Sequence, residues 1–326
     1  MNSKRLSKKF LSIQFLHLID HNGTIFNLVS PLTNFANHLV LTSFSSSFKK
    51  TMKIIEKLSQ NKRIIVILHA TGNKKPFYNM KNKLIKKFKK FYIFLHVSPN
   101  HFLIKHRLNE LYHLKKLVKK HDIKILTPSK ELKKEFLHYG MNAIPIQIGI
   151  DLKIKENQKK KIKKYITTVC TSDKKVYTYI KGIDIFYKLI KDLNLEKESL
   201  ILGNNSKKFK GIKTKKTSKN DFLNYLKKSK VYIQLSRTEA YNLSAIYAKQ
   251  LKIPIIVSNI EGHKDNIKYN FKARNISEVK NYLKKILSDP ENIKIKKSVT
   301  QNYKDSIKRE NLKKFKDSFD KLINIG

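Results

Sequence analysis

Glu239 stands in the run SRTEAYNLS, residues 236–244, between an apolar segment and a short helix-period one, and it is the only acid between Asp221 and Glu261. Its neighbours Ala240, Asn242 and Ser244 are small, so a ligand could approach the backbone closely. A carboxylate in such a loop either caps the helix that follows or faces a bound molecule. The setting, strand then loop then helix then strand, is that of a ligand-facing corner of an α/β sheet. Two imidazoles stand at comparable places, His69 and His96, each near the end of an apolar run. A strand-end histidine either satisfies local structure or, where it faces a cleft, takes part in chemistry. The eleven histidines show no metal-ligand spacing, and Cys170 is the only cysteine, so no intrachain disulfide and no cysteine-based metal site are expected.

The elements that would position these residues alternate along the chain. Strands are expected at 11–19, 37–44, 63–70, 91–98 and 123–129, with helices at 49–60, 77–90, 101–119 and 130–139 between them. In PSKELKKEFLHYG, Ser129 is the expected N-cap, Leu132, Phe136 and Tyr139 share a face, and Gly140 stops the helix. The second half repeats the plan, with strands at 165–172, 199–204, 230–236 and 253–259 and helices at 181–193, 219–228, 243–251 and 276–288. Strands alternating with helices predict parallel sheets with crossover helices. The divisions expected are a first domain over 1–151, a lysine-rich linker over 152–164, a second domain over 165–298 and a helical segment over 299–326.

The formal net charge is +47, which raises nucleic acid as a partner. Arg supplies only six of the 71 basic residues, and the lysines are spread along the whole chain. A nucleic-acid binder more often relies on arginine for bidentate contacts, so nucleic acid is not the expected partner. A solvated lysine surface, or attraction to anionic lipid and phosphorylated ligands, fits better. In NMKNKLIKKFKKF, Met80, Leu84, Phe88 and Phe91 fall on one helical face, flanked by Lys81, Lys83, Lys86, Lys87, Lys89 and Lys90. Such a helix either packs on a core with a wet lysine face or lies on an anionic membrane surface. The apolar runs are too short to span a bilayer and the N-terminus reads as a first strand, which predicts a cytoplasmic protein, peripheral on the membrane inner face if that helix binds lipid.

Taken in order, several stretches resemble the retaining glycosyltransferases of family 4, also called glycosyl transferases group 1. LSRTEAYNLSAIYAKQLKIPIIVSNIEGHKD is similar to the family's Ser-x-x-Glu loop, helix, Pro-Val-Val strand and Gly-Gly-x-x-Glu turn, with Glu261, Gly262 and Asp265 at the last of these. TPSKELKKEFLHYGMNAIPIQIGID resembles its Pro-Ser helix and Gly-Val-Asp run, ending at Gly149 and Asp151, KGIDIFYKLIKDL its Lys-Gly segment, and LILGNN, with Gly203, its glycine turn. The likeness covers about 127–267; residues 1–120 are similar in layout only, with Gly23 a poor version of the N-terminal glycine loop.

The resemblance implies a GT-B fold, two Rossmann-like doubly wound α/β domains facing a central cleft, and metal-independent transfer of a sugar from a nucleotide-sugar donor with retention of configuration. No cofactor is implied beyond the nucleotide-sugar as co-substrate, and the acceptor would be a glycan, a lipid-linked molecule or a protein. It further implies that Glu239 contacts the donor sugar, that Lys181 neutralises the departing diphosphate, and that His96 lines the reaction centre. The backbone at Ala240, Tyr241, Asn242 and Leu243 would meet the donor, where a helix N-terminus suits a diphosphate. Two positions depart from the family: Tyr247 stands where a second Glu holds the ribose, and the Gly-Arg after the first strand is absent, leaving Lys174 or Lys175 to substitute. These departures keep open an alternative, a degenerate GT-B protein that binds or scaffolds without transferring.

Overall fold

A computed structural model describes residues 13–19, 24–42, 48–60, 62–70, 88, 90–150, 162–170, 172, 174–203, 209–265, 267 and 272–324. Most of the expected helix 77–90, Gly23, Asp151 and most of the expected linker lie outside the described residues. The chain forms two compact units: residues 1–96, 112–127 and 140–144 make the first, and 97–111, 128–139 and 145–326 the second.

The first unit is built on β1 (Ile13–Ile19), β2 (His38–Thr42), β3 (Arg63–Ala70), β4 (Phe91–Leu95), β5 (Lys124–Thr127) and β6 (Ala143–Pro145), in the order β2-β1-β3-β4-β5-β6. The pairs from β2 through β5 are parallel. Parallel strands are covered on both faces, so they read as unbroken apolar runs; in β3 every residue from Ile64 to Leu68 is buried.

The second unit holds β7 (Tyr165–Val169), β8 (Ser199–Leu202), β9 (Lys213–Lys215), β10 (Ser229–Gln234), β11 (Ile255–Ser258) and β12 (Lys272–Ala273). They order as β12-β11-β10-β7-β8-β9, all parallel. This is the doubly wound Rossmann order, and its strand sequence reverses between β7 and β10, where ligands of such sheets bind. Alternate residues feed two cores. Ile166, Ile201, Val231, Ile233 and Ile256 face helices Ile183–Asp192 and Ile276–Ser288, while Tyr165, Leu200, Tyr232, Ile255 and Val257 face helix Leu243–Gln250.

Three expectations differ locally. The helix expected over 101–119 is two, Pro99–Ile104 and Leu108–His121, broken where His106 takes a positive φ of 53°. The helical segment expected from 299 is made of two helices, Ile293–Arg309 and Leu312–Asp320, and the first begins earlier than expected. Lys181 does not open a helix: it closes helix Lys175–Ile180, and Gly182 at φ +64° turns the chain into Ile183–Asp192. Each difference lies at a turn whose backbone departs from helix without an apolar period to announce it.

Candidate active site

The loop 235–242 leaves β10 at the point where the strand order reverses, and close backbone packing holds it. A Cβ added to Gly182 would lie 1.8 Å from the Leu235 carbonyl oxygen, and one added to Gly262 would lie 1.9 Å from that of Glu239. Only glycine permits these two approaches, one on each side of the loop. The Arg237 N–H donates to the Ile180 carbonyl at 2.8 Å, and the Arg237 guanidinium grips both carboxylate oxygens of Asp184, at 2.8 and 2.6 Å. That guanidinium also stacks on the Tyr179 ring, 3.7 Å from its centroid. Gln234 Nε2 donates to the Lys181 carbonyl at 2.8 Å. The Lys-Gly turn and the glutamate loop are therefore bound to one another along their length.

The result is a direct ion pair between Lys181 Nζ and Glu239 Oε2. Both side chains are largely buried, with 24% and 12% of their surface exposed, so the pair is less screened than one on the open surface. Next to it, Lys105 donates to the Tyr177 hydroxyl at 2.8 Å, and the Ser98 and Thr238 hydroxyls share a hydrogen bond. His101 is held neutral, its pKa pushed down to about 3 by burial and then by the cations Lys105, Lys181 and Arg107. The local surplus of positive charge suits an anionic group.

Beyond Glu239, the Asn242 side chain caps helix Leu243–Gln250 by accepting from the Ala245 N–H at 3.0 Å. Its amide donates to His263 Nε2 at 3.1 Å, so the other ring nitrogen, Nδ1, carries the proton and donates to the Ser258 carbonyl at 2.9 Å. Burial lowers the His263 pKa to about 4, and the ring is neutral. The Leu243 N–H donates to the Tyr241 carbonyl at 3.1 Å, whereas the N–H groups of Ala240, Tyr241 and Asn242 have no acceptor among the described residues. These three, with the positive end of the helix, are donors available to a ligand.

The remaining sequence candidates are dispersed. Tyr247 is half-buried, edge-on to Phe222 at 6.0 Å, and burial raises its pKa, so it stays a neutral phenol. Lys175 is exposed in the first turn of its helix, and Gly203 follows β8 at φ +122° with its N–H on the Lys215 carbonyl at 2.9 Å. His96 belongs to the first unit, where its Nε2 meets His69 Nδ1 at 2.8 Å and burial lowers its pKa to about 3.

The sequence reading missed Arg237, His101, Lys105, Asn242 as a side-chain cap, and the anchor beneath Tyr241. The Tyr241 hydroxyl lies 3.4 Å from the Ile148 carbonyl and 3.5 Å from Glu310 Oε1, and Glu310 takes two bonds of 2.9 Å from the buried Lys249. A buried lysine inside helix Leu243–Gln250 is the one signal that could have flagged the anchor, since it demands an acid elsewhere.

Residues 154–314 match the model of the family described as Glycosyl transferases group 1. No curated protein matches the chain. Among solved structures, sucrose-phosphate synthase from Thermosynechococcus elongatus aligns with a TM-score of 0.71 at 12% identity, covering 95% of this chain and 98% of that one. A glycosyltransferase from Rickettsia africae aligns at 0.63 and 15% identity, covering 97% and 100%. TarM aligns at 0.60 and 17% identity over 80% of this chain, which spans only 55% of TarM. The Rossmann strand order and the solved neighbours agree on the fold: the chain has the GT-B fold, and its residues 154–314 match the family described as Glycosyl transferases group 1.

Proposed function

We propose that this protein transfers a sugar from a nucleoside-diphosphate donor to an acceptor hydroxyl with retention of anomeric configuration and without a metal. The observation that carries the reading is the Lys181–Glu239 ion pair, held at the strand-order reversal by two glycine contacts. A nucleotide sugar brings what each partner needs: a diphosphate for Lys181 and hydroxyl donors for Glu239. Binding exchanges one ion pair for two sets of charge-assisted hydrogen bonds, and a ligand lacking either part leaves one charge uncompensated. In the transfer, the bond from the anomeric carbon to the diphosphate oxygen breaks and a bond to the acceptor oxygen forms. The acceptor hydroxyl proton leaves with the diphosphate. Lys181 stabilises the charge that grows on that group, and the N–H groups of Ala240–Asn242 add fixed donors. His96 keeps the part the resemblance gives it, lining the reaction centre, and Tyr247 is assigned to the ribose.

Two solved neighbours carry related chemistry in their names: a TarM mutant in complex with UDP and a GlcNAc-glycerol, and a trehalose-phosphate synthase from Burkholderia xenovorans described as UDP-forming. We extend a nucleotide-sugar donor from them to this chain, with a glycan, lipid-linked or protein acceptor. No helix among the described residues is long and apolar enough to cross a membrane; an inner-face location on anionic lipid is part of the proposal, supported by the lysine excess. The second reading, a binding or scaffold protein without transfer, is favoured by one observation, the neutral Tyr247 where the family has a carboxylate.

The test is nucleotide release from a panel of UDP-, GDP- and ADP-sugars by the full chain, with and without acceptors, alongside calorimetric binding of the nucleoside diphosphates. Slow donor hydrolysis that disappears in Lys181→Ala supports transfer. Tight binding with no turnover of any donor supports the scaffold reading, and no nucleotide binding at all overturns both.

A further inference from the structure

Four histidines of the first unit form an unbroken hydrogen-bonded row across four adjacent strands. His38 opens β2, His17 lies in β1, His69 in β3, and His96 directly follows β4. His38 Nδ1 meets His17 Nε2 at 2.9 Å, His17 Nδ1 meets His69 Nε2 at 3.0 Å, and His69 Nδ1 meets His96 Nε2 at 2.8 Å. His17, His38 and His69 are buried, and Phe15 stacks on His38 at 4.8 Å and Phe94 on His96 at 4.4 Å. Water has little access to the buried rings, and each neighbouring pair is joined nitrogen to nitrogen.

Neutral imidazole has one N–H and one bare nitrogen, so each contact needs a donor on one side and an acceptor on the other. If His96 donates through Nε2, His69 must accept at Nδ1 and therefore donate through Nε2. The same holds at His17, and His38 accepts at Nδ1. All four rings are then protonated at Nε2, and the outer Nδ1 of His96 is bare. The reverse polarity protonates all four at Nδ1 and makes that nitrogen a donor. Any mixed arrangement faces two lone pairs or two N–H groups at one contact, a cost of about 1–3 kcal/mol for a buried unmade bond. The row therefore has two neutral states, and each fixes all four rings at once. It carries one additional proton with every bond intact, because a doubly protonated ring donates in both directions. A second proton forces a head-on contact.

We propose that His38, His17, His69 and His96 act as one proton-sharing unit with a single common tautomer. His17 and His38 are positioning residues that set whether the outer nitrogen of His96 offers a hydrogen-bond donor or an acceptor. The inference rests on the geometry of the first unit and stands apart from the transferase assignment.

The experiment is two-bond 15N–1H spectroscopy of the full chain labelled at histidine, at neutral pH, with assignments from triple-resonance spectra. The expected result is one tautomer shared by all four rings, and a shift of both His96 ring nitrogens in His38→Phe, whose ring has no direct contact with His96. Opposite tautomers within the row of the wild-type protein would overturn the proposal. So would His96 ring signals unchanged in a folded His38→Phe. If that variant fails to fold, the wild-type tautomers alone decide.

Discussion

The two units bury polarity in opposite ways. In the first, four histidines form a hydrogen-bonded row across the sheet, and burial holds His17, His69 and His96 neutral. In the second, charge is buried outright: Lys249 is wholly enclosed against Glu310 and 3.8 Å from Asp305, and Lys181 pairs with Glu239 at the sheet's reversal point. A neutral row carries little desolvation cost at neutral pH, takes up one proton with its bonds intact, and fails when a second is added. A buried ion pair carries its desolvation penalty at every pH and fails when one partner is removed. Glu310 displays that penalty, since burial raises its pKa even against the pull of Lys249.

Removing one buried partner should have the largest effect. Lys249→Ala strands the Glu310 carboxylate in the interior and should cost about 3–5 kcal/mol in denaturant unfolding. The double change Lys249→Met with Glu310→Leu should recover most of that loss, because no charge is left unpaired. If the double variant is as unstable as the single one, the charges were not the cause.

The loop's packing comes next. Gly182→Ala meets a left-handed backbone and the Leu235 carbonyl together. The backbone conformation alone costs about 1–3 kcal/mol. The same change at Gly262 leaves φ unstrained but pushes on the Glu239 carbonyl, so it should lower turnover more than stability. Melting temperature and turnover, measured on both variants, separate the two.

Acid should act on the neutral histidines. His17 and His69 lie well below their ordinary pKa of 6.5, and His263 at about 4, all chiefly through burial. Below pH 6.5 the unfolded chain binds protons that the folded chain refuses, so stability present above that pH is lost as it falls toward the folded values. At pH 5.5 each such ring should cost about 1 kcal/mol. Denaturant unfolding at pH 7 and 5.5 measures the loss, and a flat profile would mean that the rings are charged in the fold.

Glu239→Gln keeps shape and removes charge. Turnover should fall at least tenfold, equivalent to about 1.4 kcal/mol of barrier, with nucleotide binding nearly unchanged. The smallest effect expected is that of Tyr247→Phe, a loss of about 0.5–1.5 kcal/mol in nucleotide affinity if the hydroxyl meets the ribose. Calorimetry reads it directly, and unchanged affinity would remove Tyr247 from the ribose.

What the sequence by itself determined is local. Apolar runs spaced by helix-period segments marked nine of the twelve strands among the described residues, because burial on both faces of a parallel sheet is written into consecutive residues. The short strands β6, β9 and β12 escaped, having only two or three residues each. Glu239 and Lys181 could be singled out because each sits in a recognisable run. Only the tertiary structure brought those two together, 58 positions apart in the chain, through two backbone approaches that glycine alone allows. It alone set His17, His38, His69 and His96 in one row and gave the buried Lys249 its acid just past the end of a distant helix. Periodicity records which face a residue turns inward, but strand order and register decide what it meets there, and those are fixed by packing between segments far apart in sequence.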